Sequence, residues 1–394
     1  MKAHIVSLGC PKNLTDTESI MAKLVQEGYS FTDKPAKADL ILVNTCAFIQ
    51  SATKESIDTI KRLAKYKKQL VVAGCLPQRY KNELPKLLPQ VDAFIGTPTK
   101  FSKKAIKATS PWLAYVKIAE GCNNCCSYCT IPSIRGSLKI RPIKDVLNEV
   151  KLVAKTGVKE IIFVAQDTAA YPNFPALLQK TARIKGVRWI RILYAYPTHI
   201  TDRLLDVMAR EKKIVKYIDL PIQHCNDKIL KLMNRRYTRQ DLKILISKVR
   251  RRKIALRTSL IVGFPGEGEC EFQELSDFIK EVKFDRLGIF TYSREEGTPA
   301  SKMKGQQGSG KRFHKLMRVQ ARISKGLNKK LIGKTLAAII EREVRGGFIG
   351  RTYMDAPDID GSVFVRSSRI LTPGELVKVR VTGAKTYDLV GCLA

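Results

Sequence analysis

Glu120-Gly121-Cys122-Asn123-Asn124-Cys125-Cys126-Ser127-Tyr128-Cys129 places four cysteines within eight residues, directly after the strand-like run Ala114–Ile118. Two readings compete for this stretch. Cys122/Cys125 and Cys126/Cys129 are overlapping Cys-x2-Cys pairs, the raw material of a tetrathiolate zinc site. Such sites normally separate their pairs by a loop so that four thiolates reach a tetrahedron, and adjacent Cys125 and Cys126 tend to diverge. The alternative is Cys122-x3-Cys126-x2-Cys129, three ligands to a [4Fe–4S] cluster. Each iron of a cubane takes one external ligand, so three cysteines leave one iron open to a small molecule.

The segment downstream repeats a strand-then-helix pattern. Strands are expected at Ala114–Ile118, Ile161–Ala165, Trp189–Tyr194, Tyr217–Leu220, Leu256–Val262 and Arg286–Tyr292. Helices are expected between them at Ile143–Lys155, Pro175–Arg183, Asp202–Arg210, Asp227–Met233, Arg239–Lys253 and Glu269–Val282. Six such units are too few for an eight-fold barrel and predict an open, partial one, with its chemistry at the C-terminal mouth.

Upstream, strand signals at Ala3–Leu8, Leu40–Asn44, Gln69–Ala73 and Ala93–Ile95 alternate with helical stretches at Asp16–Glu27, Ser51–Lys67 and after Pro77. That alternation predicts a parallel sheet with right-handed crossovers. Cys10, Cys46 and Cys75 each fall just past the C-terminal end of one of these strands, the edge where open α/β sheets bind ligands. Spacing that is meaningless as a linear motif becomes three thiols at one sheet edge. Downstream, Lys311–Lys334 reads as a basic connecting helix. Short strand-like runs at Leu336–Ile340, Ser362–Val365, Glu375–Val381 and Asp388–Gly391 then suggest a small closed β-barrel of the kind that grips nucleic acid or protein. The fold class is therefore α/β in three units: residues 1–105, 106–330 and 331–394.

Composition narrows the class. Of 394 residues, 44% are hydrophobic and 27% charged, as in ordinary globular chains. No run approaches the roughly 18 apolar residues of a membrane span. Ser7-Leu8-Gly9-Cys10 looks like a lipoprotein cleavage site, but Ala3–Leu8, broken by His4, is too short for a signal peptide. A cytoplasmic, reducing compartment is expected, which favours metal or redox chemistry over disulfides for the ten cysteines. Cys225, Cys270 and Cys392 stand alone and read as scattered thiols. The net charge of +35 points toward nucleic acid, or to lysine decorating every solvated face. It is uneven: no acidic residue occurs from Gly297 through Ile340, where eleven Lys or Arg lie between Lys302 and Lys334.

Cys-x3-Cys-x2-Cys after the first strand of a partial barrel resembles the radical S-adenosylmethionine superfamily. Three earlier cysteines and a terminal β-barrel make the chain similar to its methylthiotransferases. The local wording resembles the RimO branch: Gly9-Cys10-Pro11-Lys12-Asn13, Asn44-Thr45-Cys46-Ala47-Phe48-Ile49, Ala165-Gln166-Asp167-Thr168, Tyr194-Ala195-Tyr196-Pro197-Thr198-His199 and Asp355-Ala356-Pro357-Asp358-Ile359-Asp360-Gly361. The related transfer-RNA branch (MiaB-like) would read Gly-Cys-Gln-Met-Asn at the first cysteine, which is absent here.

That resemblance implies two [4Fe–4S] clusters, one on Cys122, Cys126 and Cys129 that cleaves S-adenosylmethionine, the other on Cys10, Cys46 and Cys75 that carries the transferred sulfur. It implies two S-adenosylmethionines per product and, as client, an aspartate β-carbon of small-subunit ribosomal protein twelve. An electron donor, a sulfur source and contact with ribosomal RNA follow as expected partners, and no membrane. Glu160 is expected near the methionine amino group, while Gly263 and Pro265, in Gly263-Phe264-Pro265-Gly266-Glu267, are expected to wall the adenine. Cys125 departs from the family pattern and reads as a bystander. His199 and His224 are expected at the mouth in orienting or packing roles, and Tyr128 as packing. Asp355, Asp358 and Asp360 are either contacts for a basic protein or turn residues. The rival readings are a transfer-RNA adenosine methylthiotransferase and, outside catalysis, a zinc-dependent RNA-binding protein.

Overall fold

The computed structural model describes residues 1–98, 106–305 and 308–394. The expected boundary at 105/106 falls at the edge of a segment outside these described residues. The N-terminal sheet contains β1 (Lys2–Ser7), β2 (Ser30–Phe31), β3 (Leu40–Thr45), β4 (Gln69–Gly74) and β5 (Ala93–Ile95) in the order β2-β1-β3-β4-β5. Every pairing is parallel. The central strand β3, Leu-Ile-Leu-Val-Asn-Thr, is buried along its whole length, as a strand covered on both faces must be. The helices are α1 (Pro11–Gln26), α2 (Gln50–Ala64), α3 (Cys75–Arg79) and α4 (Leu84–Leu87).

Helix α1 begins five residues earlier than its apolar pattern suggests. Pro11 stands in its first turn, where a missing N–H costs nothing. Its first turns are polar because Asn13, Thr15, Asp16, Thr17, Glu18 and Ser19 are buried against other polar groups rather than against a core. Hydrophobic periodicity cannot register such a face.

The second sheet contains β6 (Leu113–Lys117), β9 (Glu160–Val164), β10 (Trp189–Ile192), β11 (Ile214–Asp219), β12 (Ala255–Val262) and β13 (Arg286–Thr291), side by side in chain order and all parallel. A hairpin of β7 (Ala119–Glu120) and β8 (Lys139–Ile140) brackets the cysteine loop and α5 (Ile131–Arg135). The outer layer is α6 (Ile143–Lys155), α7 (Phe174–Ala182), α8 (Asp202–Arg210), α9 (Asp227–Leu232), α10 (Arg239–Arg251) and α11 (Glu269–Val282). The largest core lies between this layer and the sheet, with Ile161, Phe163, Ile190, Ile218, Leu256 and Leu260 facing outward into it.

After α12 (Ser309–Lys329), β14 (Thr335–Val344), β15 (Gly347–Thr352), β16 (Val363–Arg366), β17 (Leu376–Ala384) and β18 (Leu389–Leu393) close a barrel in the order β14-β15-β16-β18-β17. Strand β15 escaped the sequence reading because Arg345-Gly346-Gly347 and Gly350 look like turn residues. Here Gly347 and Gly350 are needed within the ladder, where an added Cβ would stand 2.6 Å from Val365 O and 2.7 Å from Ile339 O.

The connection after β15 leaves the small barrel and plugs the inside of the partial one. Arg286 Nε donates to Asp355 Oδ1 at 2.7 Å, Tyr217 Oη to Asp360 Oδ2 at 2.7 Å and Arg257 Nε to Asp360 Oδ1 at 3.3 Å. Asp355 and Asp360 therefore join two parts of one chain, which corrects the expectation that they present acid to a basic protein; Asp358 remains exposed.

Candidate active site: two cysteine triads on facing edges

Each cysteine of the first triad sits where a parallel strand ends. Cys10 is the N-cap of α1, Cys46 follows β3, and Cys75 opens α3 after Gly74. Side chains stitch these turns together. Asn13 Nδ2 donates to Leu8 O at 2.8 Å and to Thr45 O at 2.7 Å, and Asn44 Nδ2 donates to Asn13 O at 2.8 Å. Ser56 Oγ accepts from the Cys46 N–H at 3.1 Å and donates to Cys46 O at 2.8 Å. Gly9 has φ +88°, and an added Cβ would stand 3.0 Å from Cys46 Sγ, so a side chain here would fill the space beside the sulfur. Burial pushes the Cys46 thiol up to about 11 and raises Cys75. Repulsion from Cys10 adds to both rises, and repulsion from Cys75 adds to that of Cys46.

The second triad is held by the loop between β7 and β8. Gly121 has φ +75° and lies so close to the returning strand that a Cβ would meet Ser137 O at 2.1 Å, a position for glycine alone. The Cys122 N–H donates to Gly136 O at 3.1 Å and the Cys129 N–H to Cys126 O at 3.0 Å. Ser127 anchors the middle of the loop, donating from Oγ to Leu232 O at 2.7 Å and from its N–H to Met233 O at 3.1 Å. Burial raises Cys122 and pushes Cys129 up to about 12, with Cys126 acting on both. Cys125 is set apart, with φ +50° and an exposed side chain.

The two edges face each other. Lys12, two residues after Cys10, holds its ammonium 5.2 Å from the centre of the Tyr194 ring and favours the thiolates of both Cys122 and Cys129. Thr130 Oγ1 donates to Phe48 O at 3.1 Å, and Arg79 pairs with Glu295 at 2.9 Å. Beneath them lies a buried ionic cluster. Lys117 pairs with Asp16 and, at 2.5 Å, with Glu120; Arg135 pairs with Asp16 at 2.7 Å and Glu120 at 3.2 Å. Burial opposes charge on Glu120, but Lys117 and Arg135 outweigh it and hold the carboxyl at about 2.

Sequence reasoning missed one polar group at the mouth. Asp167 Oδ2 accepts from Asn124 Nδ2 at 2.9 Å and pairs with His199 Nδ1 at 2.6 Å, while Oδ1 accepts from the Tyr196 N–H at 3.2 Å. The hydrogen bond to Asp167 raises the His199 pKa. The signal was available: Asp167 follows the C-terminal end of β9, the same edge as the cysteine loop.

Glu160 is not at that edge. It is the first residue of β9, at the opposite end of the strands, fully buried, with Arg191 Nε donating at 2.8 Å and Arg351 Nη2 at 2.5 Å. Its carboxylate is consumed by two guanidiniums, so the expected contact with a methionine amino group is corrected. Helix-to-strand turns such as Gly157–Lys159 open at the bottom of a βα barrel, whereas strand-to-helix turns form the mouth. Gly263 and Pro265 follow β12 at the mouth, buried, with the Gly263 N–H donating to Glu267 Oε2 at 2.9 Å. Between them Phe264 meets Tyr128 edge-on at 6.3 Å. His224 is fully buried, accepts from the Asn226 N–H at 3.0 Å and lies 3.7 Å from Glu267, a packed position.

The residues suit thiolate-bound clusters. Cationic Arg135 and Lys12 attend the sulfurs, and Gly9 leaves room beside Cys46. No described helix is long and apolar enough to cross a membrane.

Comparisons with known proteins agree with this architecture. Residues 116–279 match the radical SAM superfamily, 332–393 the TRAM domain and 2–96 a family described as uncharacterized protein family UPF0004. The chain is 43% identical to the ribosomal protein uS12 methylthiotransferase RimO of Geobacter sulfurreducens, over 99% of this chain and 98% of that one. It is 44% identical to the protein of the same name from Caldanaerobacter subterraneus subsp. tengcongensis, over 98% of each. The radical S-adenosylmethionine methyltransferase TsrM of Kitasatospora setae, solved with cobalamin and a [4Fe–4S] cluster, shares the fold at TM-score 0.56 and 13% identity, over 95% of this chain and 83% of that one. Fold and cysteine loop thus define a radical S-adenosylmethionine enzyme with an α/β domain before its barrel and a TRAM domain after it. Within that class, the chain belongs to the RimO methylthiotransferase family.

Proposed function

We propose that this chain transfers a methylthio group to the β-carbon of an aspartate in ribosomal protein uS12, the client named for its relatives. The observation that carries this reading is the pair of cysteine triads on facing edges. In this reading Cys122, Cys126 and Cys129 hold one [4Fe–4S] cluster, Cys10, Cys46 and Cys75 hold the other, and Cys125 holds neither. When bound, the first supplies the electron that cleaves S-adenosylmethionine to a hydrogen-abstracting radical and the second carries the sulfur to be methylated and transferred. The chain's residues bind and orient. Gly263 and Pro265 wall the S-adenosylmethionine pocket, and the Asn124–Asp167–His199 group offers it hydrogen bonds. Lys12 and Tyr194 line the gap between the two sites. The working units are residues 1–105, 106–330 and 331–394, in the cytoplasm, with an electron donor and a sulfur source as partners.

Helix α12 supports a further partner, ribosomal RNA beside the client. Lys311, Lys315, Arg318, Arg322, Lys325 and Lys329 are all exposed, and their spacing puts them on one face about 27 Å long. The acids of neighbouring α11 mostly turn elsewhere: Glu271, Glu274, Asp277 and Glu281 pair with Lys228, Arg239, Lys280 and Lys243. Only Glu269 approaches the stripe among the described residues, 3.9 Å from Lys315. A continuous cationic face suits a phosphate backbone.

The test is mass spectrometry after anaerobic reaction of the cluster-reconstituted protein with S-adenosylmethionine, reductant, sulfide, uS12 and unmodified transfer RNA together. A methylthio mass gain on the uS12 aspartate peptide supports the proposal. A gain on adenosine moves the client to RNA, and zinc without sulfide in the purified protein overturns the enzymatic reading. Cys125→Ser should retain roughly eight irons per chain, four for each cubane; loss of half would put Cys125 among the ligands.

A further inference from the structure

Arg135 lies six residues beyond Cys129, the last cysteine of the radical triad, yet its guanidinium reaches the other triad. Nη2 donates to Cys75 Sγ at 3.3 Å and to Asn13 Oδ1 at 2.8 Å, while Nη1 is shared by Asp16 and Glu120. The side chain is 2% exposed. Both its parent helix α5 and the target cysteine are fixed: α5 packs on α3, whose first residue is Cys75. The radical triad has its own counterpart. Arg235, buried, donates from Nη1 to Cys126 Sγ at 3.5 Å and from Nε to Tyr237 Oη at 2.6 Å, with its guanidinium 4.3 Å from the centre of the Tyr196 ring.

We propose that Arg135 is a positioning residue that sets the reduction potential of the cluster held by Cys10, Cys46 and Cys75, as Arg235 does for the cluster held by Cys122, Cys126 and Cys129. This rests on the two-cluster reading above. Hydrogen bonds to the ligating sulfurs and the net charge around a cluster are among the quantities that set its potential. A buried guanidinium supplies both at once, in a medium that screens its charge weakly. Its fork also divides the work: one arm meets the sulfur while the other is held by carboxylates, so the donor cannot swing away. Asp16, Glu120, Lys117 and Arg135 sum to zero charge, so removing Arg135 leaves two carboxylates against one cation beside the sulfur. An N–H donor and a positive charge both favour the reduced, more negative cluster. Replacement should therefore lower the potential.

The experiment uses the full chain with Cys122, Cys126 and Cys129 replaced by alanine, reconstituted with iron and sulfide so that one cluster remains. Its potential is read by an electron paramagnetic resonance-monitored redox titration. Arg135→Gln should move the midpoint negative by at least a tenfold change in the oxidised-to-reduced ratio, about 59 mV for one electron. Arg135→Lys, which keeps the charge and loses the fork, should fall between the two. In the complementary background, with Cys10, Cys46 and Cys75 replaced, Arg135→Gln should leave the midpoint in place while Arg235→Lys moves it. A midpoint unchanged in Arg135→Gln, or equally shifted in both backgrounds, overturns the assignment. Should Arg135→Gln fold poorly, Arg135→Lys decides alone, since a merely structural arginine would leave the midpoint of the folded, loaded fraction unmoved. Failure of the parent background to hold any iron and sulfide would count against the two-cluster reading itself.

Discussion

At the scale of single residues, burial and partners decide what each group can do, and sequence position hides both. His224 shows this. It looks like a mouth histidine two residues before Asn226, but full burial pushes its pKa down to about 3. The free imidazole titrates near 6.5, so between those values the unfolded chain binds a proton that the folded chain does not. Stability present above pH 6.5 is therefore lost as pH falls toward 3, by at most about 1.4 kcal/mol per unit. Urea midpoints measured from pH 7 to 4 should fall less steeply in His224→Gln than in the parent. Parallel slopes would mean that other groups carry the acid limb. The cysteines are the opposite case. The position of Cys10, Cys46 and Cys75 along one sheet edge was legible because each follows the end of a parallel strand, whereas Cys122, Cys126 and Cys129 stand together because they share one loop.

Among the elements, α12 has the most legible charge pattern and the least legible context. Its acid-free composition is visible in the chain, but only packing shows that Glu271, Glu274, Asp277 and Glu281 of α11 pair with cations of α9, α10 and α11, so that Glu269 alone among the described acids of α11 approaches the stripe. Replacing Lys311, Lys315, Arg318, Arg322, Lys325 and Lys329 by Gln should weaken binding to single-stranded RNA and flatten its salt dependence. If all six meet phosphates, the slope of log K against log salt drops by about 4. Filter-binding titrations at several salt concentrations read this directly. An unchanged slope would return the stripe to ordinary solvated surface. Activity on a free uS12 peptide should survive, since the stripe lies on the outer helical layer. Strands β6 and β9 to β13 were found from apolar runs because both faces are covered. Strand β15 and the start of α1 were not, since glycines required by close backbone approach, and polar residues buried against polar partners, imitate loops.

For the whole molecule, the connection after β15 enters the inside of the partial barrel and ties the terminal barrel to it, so the latter is not a tethered appendage. Glu160 joins β9 to β10 and β15 through Arg191 and Arg351, and Asp355 and Asp360 extend the same ionic seam. Breaking one partner of a buried pair costs about 3–5 kcal/mol because the remaining charge is stranded. Glu160→Gln should lower the urea midpoint accordingly and leave S-adenosylmethionine affinity, measured by calorimetry on folded protein, unchanged. Loss of affinity at intact stability would restore Glu160 to the cofactor site.

The chain by itself determined the α/β class, the order of its three parts, the place of Cys10, Cys46 and Cys75 past three strand ends and that of Cys122, Cys126 and Cys129 in one loop. Periodicity, strand ends and ligand spacing are local properties that survive translation into three dimensions without knowledge of partners. Tertiary structure alone decided which edge each residue occupies, that Asp167 and not Glu160 belongs to the mouth, and that Arg135 crosses from one triad to the other. Those are contacts between groups far apart in sequence, some more than a hundred residues, whose pairing is set by how helices and sheets pack. No window on the chain contains both members of such a pair.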